Sequence, residues 1–328
     1  MGVCRRGWPA DIAARPATLA LVISGGPCAL LAACALRRAD VLVVEAPQRC
    51  AAVHFVPTRA LELLPPDAAA ALRACGSAPP DGGVLCVDDA VLSATLRSCL
   101  PASALVDGRV TGFTQQAGEI HVRLEGRAGR RSQRSVTCAA LLGAGGASCS
   151  VRAALLGASP IDRRVGLWRG VCAVQADDDW PTGTLELARD ADGACVGAAV
   201  KHGQSVFWSL LAPPQPPRAT LDASALAALA QAAARWPLLA AVVAQTRAQH
   251  VSCELVREPQ HPLRGQSGVL LLGYAARGIP SAAMDELSAT VDDVLMLMQA
   301  LFPLEALKYT PDDLAAALNA YATAPFHG

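Results

Sequence analysis

Charge of one sign is what this chain lacks first: 28 Lys and Arg stand against 28 Asp and Glu over 328 residues. With no net field to steer it, neither a nucleic acid nor an anionic bilayer is expected as a partner. Metal-ligand spacing is missing too. The 12 cysteines are scattered, with no CxxC pair and no Cys/His cluster at zinc spacing, so neither a structural metal nor a disulfide framework is expected. Most of them read as small buried hydrophobes in a reducing, cytoplasmic setting. His54, His121, His202, His250, His261 and His327 show no metal or triad spacing and read as surface or capping residues. No repeat of fixed period is present. The first residues, Met1-Gly2-Val3-Cys4-Arg5-Arg6, lack the Ser or Thr that a myristoylation motif wants at position six, and no cleavage site follows, so 1–17 is a loose leader.

The one long uncharged run, Pro16 to Leu36, spans 21 residues, enough for a membrane helix. Ser24-Gly25-Gly26-Pro27 interrupts it. Proline suits the first turn of a helix that starts there and breaks one that runs through, so the run is a strand followed by a buried helix, not a span. A second strand, Val41 to Val44, ends on Glu45. Together they form a strand-turn-helix-strand unit of the dinucleotide-binding kind, GxGxxG or GxGxxA, with Ser24, Gly26 and Ala29 at the three fingerprint places. Gly26 keeps the approach a pyrophosphate needs, Ala29 is a tolerated variant, and Ser24 loses the positive φ that glycine offers at the tight turn. Glu45, 21 residues beyond Ser24, is placed to accept hydrogen bonds from a ribose.

Beyond Glu45 comes an amphipathic segment, Thr58 to Cys75, broken at Pro65-Pro66, then a strand at 84–87 and a helical face at 90–96. A hairpin pairs 108–113 with 119–124, and a buried strand, 136–142, runs into Gly143-Ala144-Gly145-Gly146. From about residue 160 strands dominate, at 165–174, 184–187, 194–200 and 205–211, up to a proline-rich turn at 213–217. A helix at 223–234, a strand at 268–273 and a helix at 285–301 follow.

In this order the landmarks resemble the FAD-dependent monooxygenases of the aromatic-hydroxylase type. Besides the opening unit, Leu142-Gly143-Ala144-Gly145-Gly146 through Ser150-Val151-Arg152 is similar to that family's GADG...S.VR segment, and Leu167-Trp168-Arg169-Gly170 to its aWRG. Val269 to Pro280 resembles VxLLGDAAHxxxP, and Ala317 to Tyr321 the final family helix. The resemblance implies an α/β fold: a discontinuous Rossmann-like FAD-binding domain, 18–158 and 254–328, with an inserted antiparallel substrate domain, 159–253. It implies FAD as cofactor, NAD(P)H as electron donor and hydroxylation of a small planar aromatic or apolar substrate. Carried over by position, the cofactor-binding residues are Gly25, Gly26, Glu45, Gly146, Arg152, Gly273 and Pro280. No catalytic side chain is assigned, because in such enzymes the flavin carries the chemistry.

The departures from the family pattern fall on cofactor contacts. Tyr274 stands for the acid of the GD pair, Gly145 for the acid of GADG, Cys149 for the following serine and Asp89 for an arginine. Ala283-Met284-Asp285-Glu286 replaces a glycine-rich loop whose amides face the flavin. Each lost hydrogen bond to a buried cofactor group costs about 1–3 kcal/mol, so three together weaken FAD by roughly a thousandfold. Tyr274 either offers its hydroxyl to the ribityl chain or fills the space a missing flavin leaves; Arg277 either reaches a phosphate or stays solvated. Three readings follow: a monooxygenase with altered contacts, a catalytically inactive pseudoenzyme that holds a ligand or protein partner, or a nucleotide sensor confined to the first unit.

Overall fold

The computed structural model describes residues 19–326 except 38–39, 46–52, 78–82, 117, 127–132, 158–163, 174–184, 214–222, 258–260, 279–281 and 306–310. The leader 1–17, most of the proline-rich turn and Pro280 therefore lie outside the described residues. Along the chain, β1 (Leu19–Gly25), α1 (Pro27–Ala35) and β2 (Val41–Glu45) make a βαβ unit, followed by β3 (Val53–Pro57), α2 (Pro66–Cys75), β4 (Val84–Asp88) and α3 (Asp89–Ser98). Next come β5 (Leu105–Gln116), β6 (Glu119–Gly126), β7 (Gln133–Ala144) and α4 (Ser150–Leu156). Four strands, β8 (Arg164–Ala173), β9 (Leu185–Arg189), β10 (Cys195–His202) and β11 (Ser205–Ala212), precede α5 (Ala223–Ala232), α6 (Pro237–Gln245) and β12 (Val251–Arg257). The last elements are β13 (Gly265–Gln266), β14 (Val269–Leu271), α7 (Tyr274–Arg277), α8 (Glu286–Glu305) and α9 (Pro311–Thr323).

Pro27, Pro66 and Pro237 each sit in the first turn of a helix, where the missing N–H has no partner to lose. α1 is buried along almost its whole length, which accounts for the uncharged run without a membrane. No helix among the described residues is long and apolar enough to cross one. The parallel layer runs β5–β2–β1–β7–β14, with β1 paired to β2 on one side and to β7 on the other. Its strands are apolar on both faces because both are covered. One face packs on α1, α2, α3 and α8; the other lies under α4, α7 and the sheet that β5 and β7 form with β6 after leaving the parallel layer.

The second sheet is antiparallel, in the order β12–β8–β11–β10–β9, and lies in sequence between α4 and β14. The architecture is thus α/β, a discontinuous Rossmann-like layer with an inserted antiparallel sheet. Alternation along β11 divides its side chains: Val206, Trp208 and Leu210 pack against α5 and α6, while Phe207 turns the other way with Ala198 and Val200 of β10. That second face meets Val53, Phe55 and Cys86 of the antiparallel pair β3–β4. Strand β3 and helix α6 were not expected from the sequence. The contact between the five-stranded sheet and β3–β4 is called the junction below.

Candidate functional site

The chain passes from β1 to β2 on one side of the parallel layer and returns beside β1 through β7 on the other. In open α/β sheets this switch point, at the carboxyl ends of the strands, is where a crevice for ligands opens. Glycine turns meet there. Gly25 has φ +153°, and a Cβ on it would come within 2.7 Å of the Ala144 carbonyl, so glycine is what lets β1 and β7 approach. Gly273, at φ +60°, starts α7, and a Cβ there would collide with the Thr290 hydroxyl. Gly26 and Gly146 are different: a Cβ on either meets nothing within 4 Å. The structure therefore brings Gly25, Gly26, Gly146 and Gly273 to one edge, with Glu45 at the end of β2.

Glu45 is buried, and Arg97 of α3 holds both its oxygens, from Nε at 2.9 Å and Nη2 at 3.2 Å. Burial raises the Glu45 pKa; the Arg97 guanidinium opposes the rise, while Asp107 and Asp89 add to it. Arg152 is also buried, but it faces backbone: it donates to the carbonyls of Ala275 (2.7 Å), Ala276 (3.3 Å) and His261 (2.7 Å), tying α4 to α7. Cys149 packs its sulfur toward Gly143, and burial pushes its thiol up.

The sequence left Arg277 either on a phosphate or in solvent, and the structure pairs it with a buried carboxylate. It donates to Asp293 Oδ2 at 2.8 Å. Asp293, on the buried face of α8, also accepts from the Gly273 amide at 2.7 Å and from Arg264, itself buried. The Tyr321 hydroxyl donates to the Leu271 carbonyl at 2.7 Å beside this pair. Sequence reasoning missed Asp293 and Arg264. The available signal was an acid spaced with Thr290, Val294 and Leu297 on the apolar face of a helix.

Reading His54 as surface or capping is corrected. It lies in β3, whose five residues are all buried, with Nε2 2.9 Å from Asp89 Oδ1 and Nδ1 3.4 Å from Glu286 Oε1. Burial alone would lower its pKa, but the hydrogen-bonding and charge of Asp89 and Glu286 outweigh burial and raise it to about 9. The imidazole is thus a cation at neutral pH, joining the first turns of α3 and α8. Polar His54 inside the apolar run Val53-His54-Phe55-Val56 was the signal for a buried histidine. A neighbouring contact ties the β10–β11 hairpin to β4: His202 Nδ1 lies 2.8 Å from Ser77 Oγ, and Nε2 lies 3.6 Å from Asp88.

Tyr274, at the start of α7, donates its hydroxyl to Asp285. Burial and the Asp285 and Glu286 carboxylates hold the phenol protonated. Glu286 also raises the pKa of the buried Cys28 thiol in the first turn of α1, after burial itself. Carboxylates therefore run along this edge from Glu45 through Asp89 and Glu286 to Asp285, coupled to one another or through His54 and Tyr274. The arginines nearby, Arg97, Arg264 and Arg277, already hold carboxylates. Among the described residues no group of His, Cys, Asp and Glu is placed to hold a metal ion.

FAD tested against these residues fits at one end only. The glycine edge offers open backbone at Gly26 and Gly146, as a pyrophosphate needs. Toward the junction, where the ring end would lie, His54 stands between Asp89 and Glu286, and Tyr274 is bonded to Asp285 within the chain. The residues present do not fit FAD as a whole.

No family model and no curated protein matches the chain. Solved structures do. HpxO of Klebsiella pneumoniae, in complex with FAD and uric acid, is 18% identical with a TM-score of 0.61, over 93% of this chain and 83% of that one. The p-nitrophenol 4-monooxygenase PnpA of Pseudomonas putida is 18% identical, TM-score 0.59, over 92% and 84%. CtdE, solved with FAD and a substrate, is 11% identical, TM-score 0.64, over 93% and 84%. The chain has the fold of the FAD-dependent monooxygenases.

Proposed function

We propose that this chain is a catalytically inactive member of that fold, a pseudoenzyme that keeps the architecture as a module for a ligand or protein partner. The division follows the one read from the sequence, a dinucleotide-type domain in 18–158 and 254–328 around a substrate-type domain in 159–253, with β12 carrying the inserted sheet on to Arg257. The observation that carries the reading is that the chain's own groups are bonded to one another at the junction end of the edge. Tyr274 donates to Asp285, His54 lies between Asp89 and Glu286, Met284 is buried with Phe55 and Phe207, and Arg97, Arg264 and Arg277 hold carboxylates. A flavin ring placed there would have to displace these partners, leaving buried polar groups without them. Gly25, Gly26, Glu45, Gly146, Arg152, Gly273 and Pro280 are the positions that would hold FAD, and of these Arg152 is committed to backbone carbonyls.

The second reading is the one the resemblance implies, NAD(P)H-dependent hydroxylation of a small planar aromatic with bound FAD. The likeness to HpxO, solved with FAD and uric acid, favours it. Bound there, the flavin would supply the oxygen chemistry. One measurement separates the readings: the visible spectrum of the purified protein before and after incubation with excess FAD and removal of free dye. A colourless protein is the expected result. Retained flavin absorption would overturn the pseudoenzyme and make NAD(P)H oxidation with candidate aromatics the next assay.

A further inference from the structure

We propose that the segment Ala282–Glu286 is an internal ligand: it fills, from within the chain, an apolar slot at the junction lined by aromatic rings and small aliphatic side chains. The inference rests on the pseudoenzyme reading and adds what has taken the vacant end. The Met284 side chain is buried together with Phe55 of β3 and Ala198, Val200 and Phe207 of the five-stranded sheet. Two aromatic rings and two small aliphatic residues around one thioether make an apolar slot, and methionine is the side chain that best fills such irregular gaps.

The backbone shows that the segment is held there by its surroundings. Met284 has φ +58°, a left-handed conformation that a side chain with a Cβ rarely adopts and keeps only where several contacts fix it. Those contacts come from separate parts of the fold. Ser209 of β11, fully buried, donates its hydroxyl to the Ala282 carbonyl. The Phe55 amide of β3 donates to the Met284 carbonyl at 3.3 Å. Tyr274 of α7 donates to Asp285, and Glu286 faces His54 at 3.4 Å. Four of the five residues, Ala282, Met284, Asp285 and Glu286, thus bind the inserted sheet, the β3–β4 pair and the start of α7 at once, as a bound ligand would.

Removal of the thioether should empty the slot while the anchors stay. Met284→Gly deletes the side chain and at the same time relieves the left-handed backbone, so the variant is expected to fold. A dry apolar void of this kind takes up a small aromatic molecule. The test titrates indole into wild type and Met284→Gly, following the unfolding midpoint and, by calorimetry, the affinity. The variant should bind indole about tenfold tighter or more than wild type, and the midpoint should rise with indole only in the variant. Met284→Ala, with a smaller void, should show the same order at lower affinity and serves if the glycine variant does not fold. Equal indole binding by wild type, or a folded variant that takes up none, overturns the internal ligand. FAD retained by the wild type overturns the pseudoenzyme itself, so the two failures are told apart.

Discussion

The two ends of the switch-point edge are made of different material. At the glycine edge the work is done by backbone: Gly25 and Gly273 let elements touch, and Gly26 and Gly146 leave space. At the junction the work is done by side chains, Met284 among Phe55 and Phe207, Tyr274 on Asp285, His54 between Asp89 and Glu286. Backbone geometry is shared by every residue that packs on it, so loss of Gly25 or Gly273 would disturb the sheet itself. Side chains at a ligand site answer only to the ligand, and here they answer to one another. One edge of the sheet can therefore pair backbone turns at one end with a side-chain core at the other.

The largest expected effect tests what holds the Gly273 turn at the glycine edge. Asp293 is fully buried and accepts from Arg264, Arg277 and the Gly273 amide. Asp293→Ala leaves a buried guanidinium without its carboxylate, and urea unfolding should show a loss of about 3–5 kcal/mol. A loss below about 1 kcal/mol would mean that the α7 start is held by packing alone. Next comes His54. Its folded pKa of about 9 lies above the ordinary 6.5, so the stability it contributes is fully present below pH 6.5 and lost as pH rises through 9. The groups that face it are Asp89 and Glu286. Between pH 6 and pH 10 the protein should lose up to about 3 kcal/mol from this group, and His54→Gln should flatten the slope. An unchanged slope in the variant would place the titration elsewhere.

Most of the fold was legible because its signals are backbone signals. Proline after Gly25-Gly26 marked the start of α1, and alternation marked the β5–β6 hairpin and the four strands β8 to β11. What escaped was written in pairs of residues far apart. Strand β3 is short, and its apolar run Val53–Val56 marks a buried segment without naming its partners, which are β4 and, for His54, acids 35 residues away in Asp89 and farther in Glu286. The Arg264–Asp293 pair spans 29 residues: Asp293 shows on the apolar face of α8, and Arg264 carries no local sign. At the candidate site, the sequence marked Tyr274, Asp89 and the segment from Ala283 to Glu286 as departures, and the structure shows them bonded to partners of their own.

The smallest expected effect sharpens the comparison most, because it sets two adjacent glycines against each other. Gly25→Ala places a methyl within 2.7 Å of the Ala144 carbonyl at φ +153° and should cost about 1–3 kcal/mol through overpacking and strain. Gly26→Ala places one where nothing lies within 4 Å, but at φ −101° and ψ −134°, outside the regions alanine favours, so it should cost about 1 kcal/mol of backbone strain and less than Gly25→Ala. The Gly26 methyl meets no neighbour and is left to report on a ligand. If the glycine edge holds a nucleotide, titration of Gly26→Ala with ADP should show weaker binding than wild type, since the methyl occupies the approach that a phosphate would use. Equal ADP titrations for wild type and Gly26→Ala would show that no phosphate approaches this edge at Gly26.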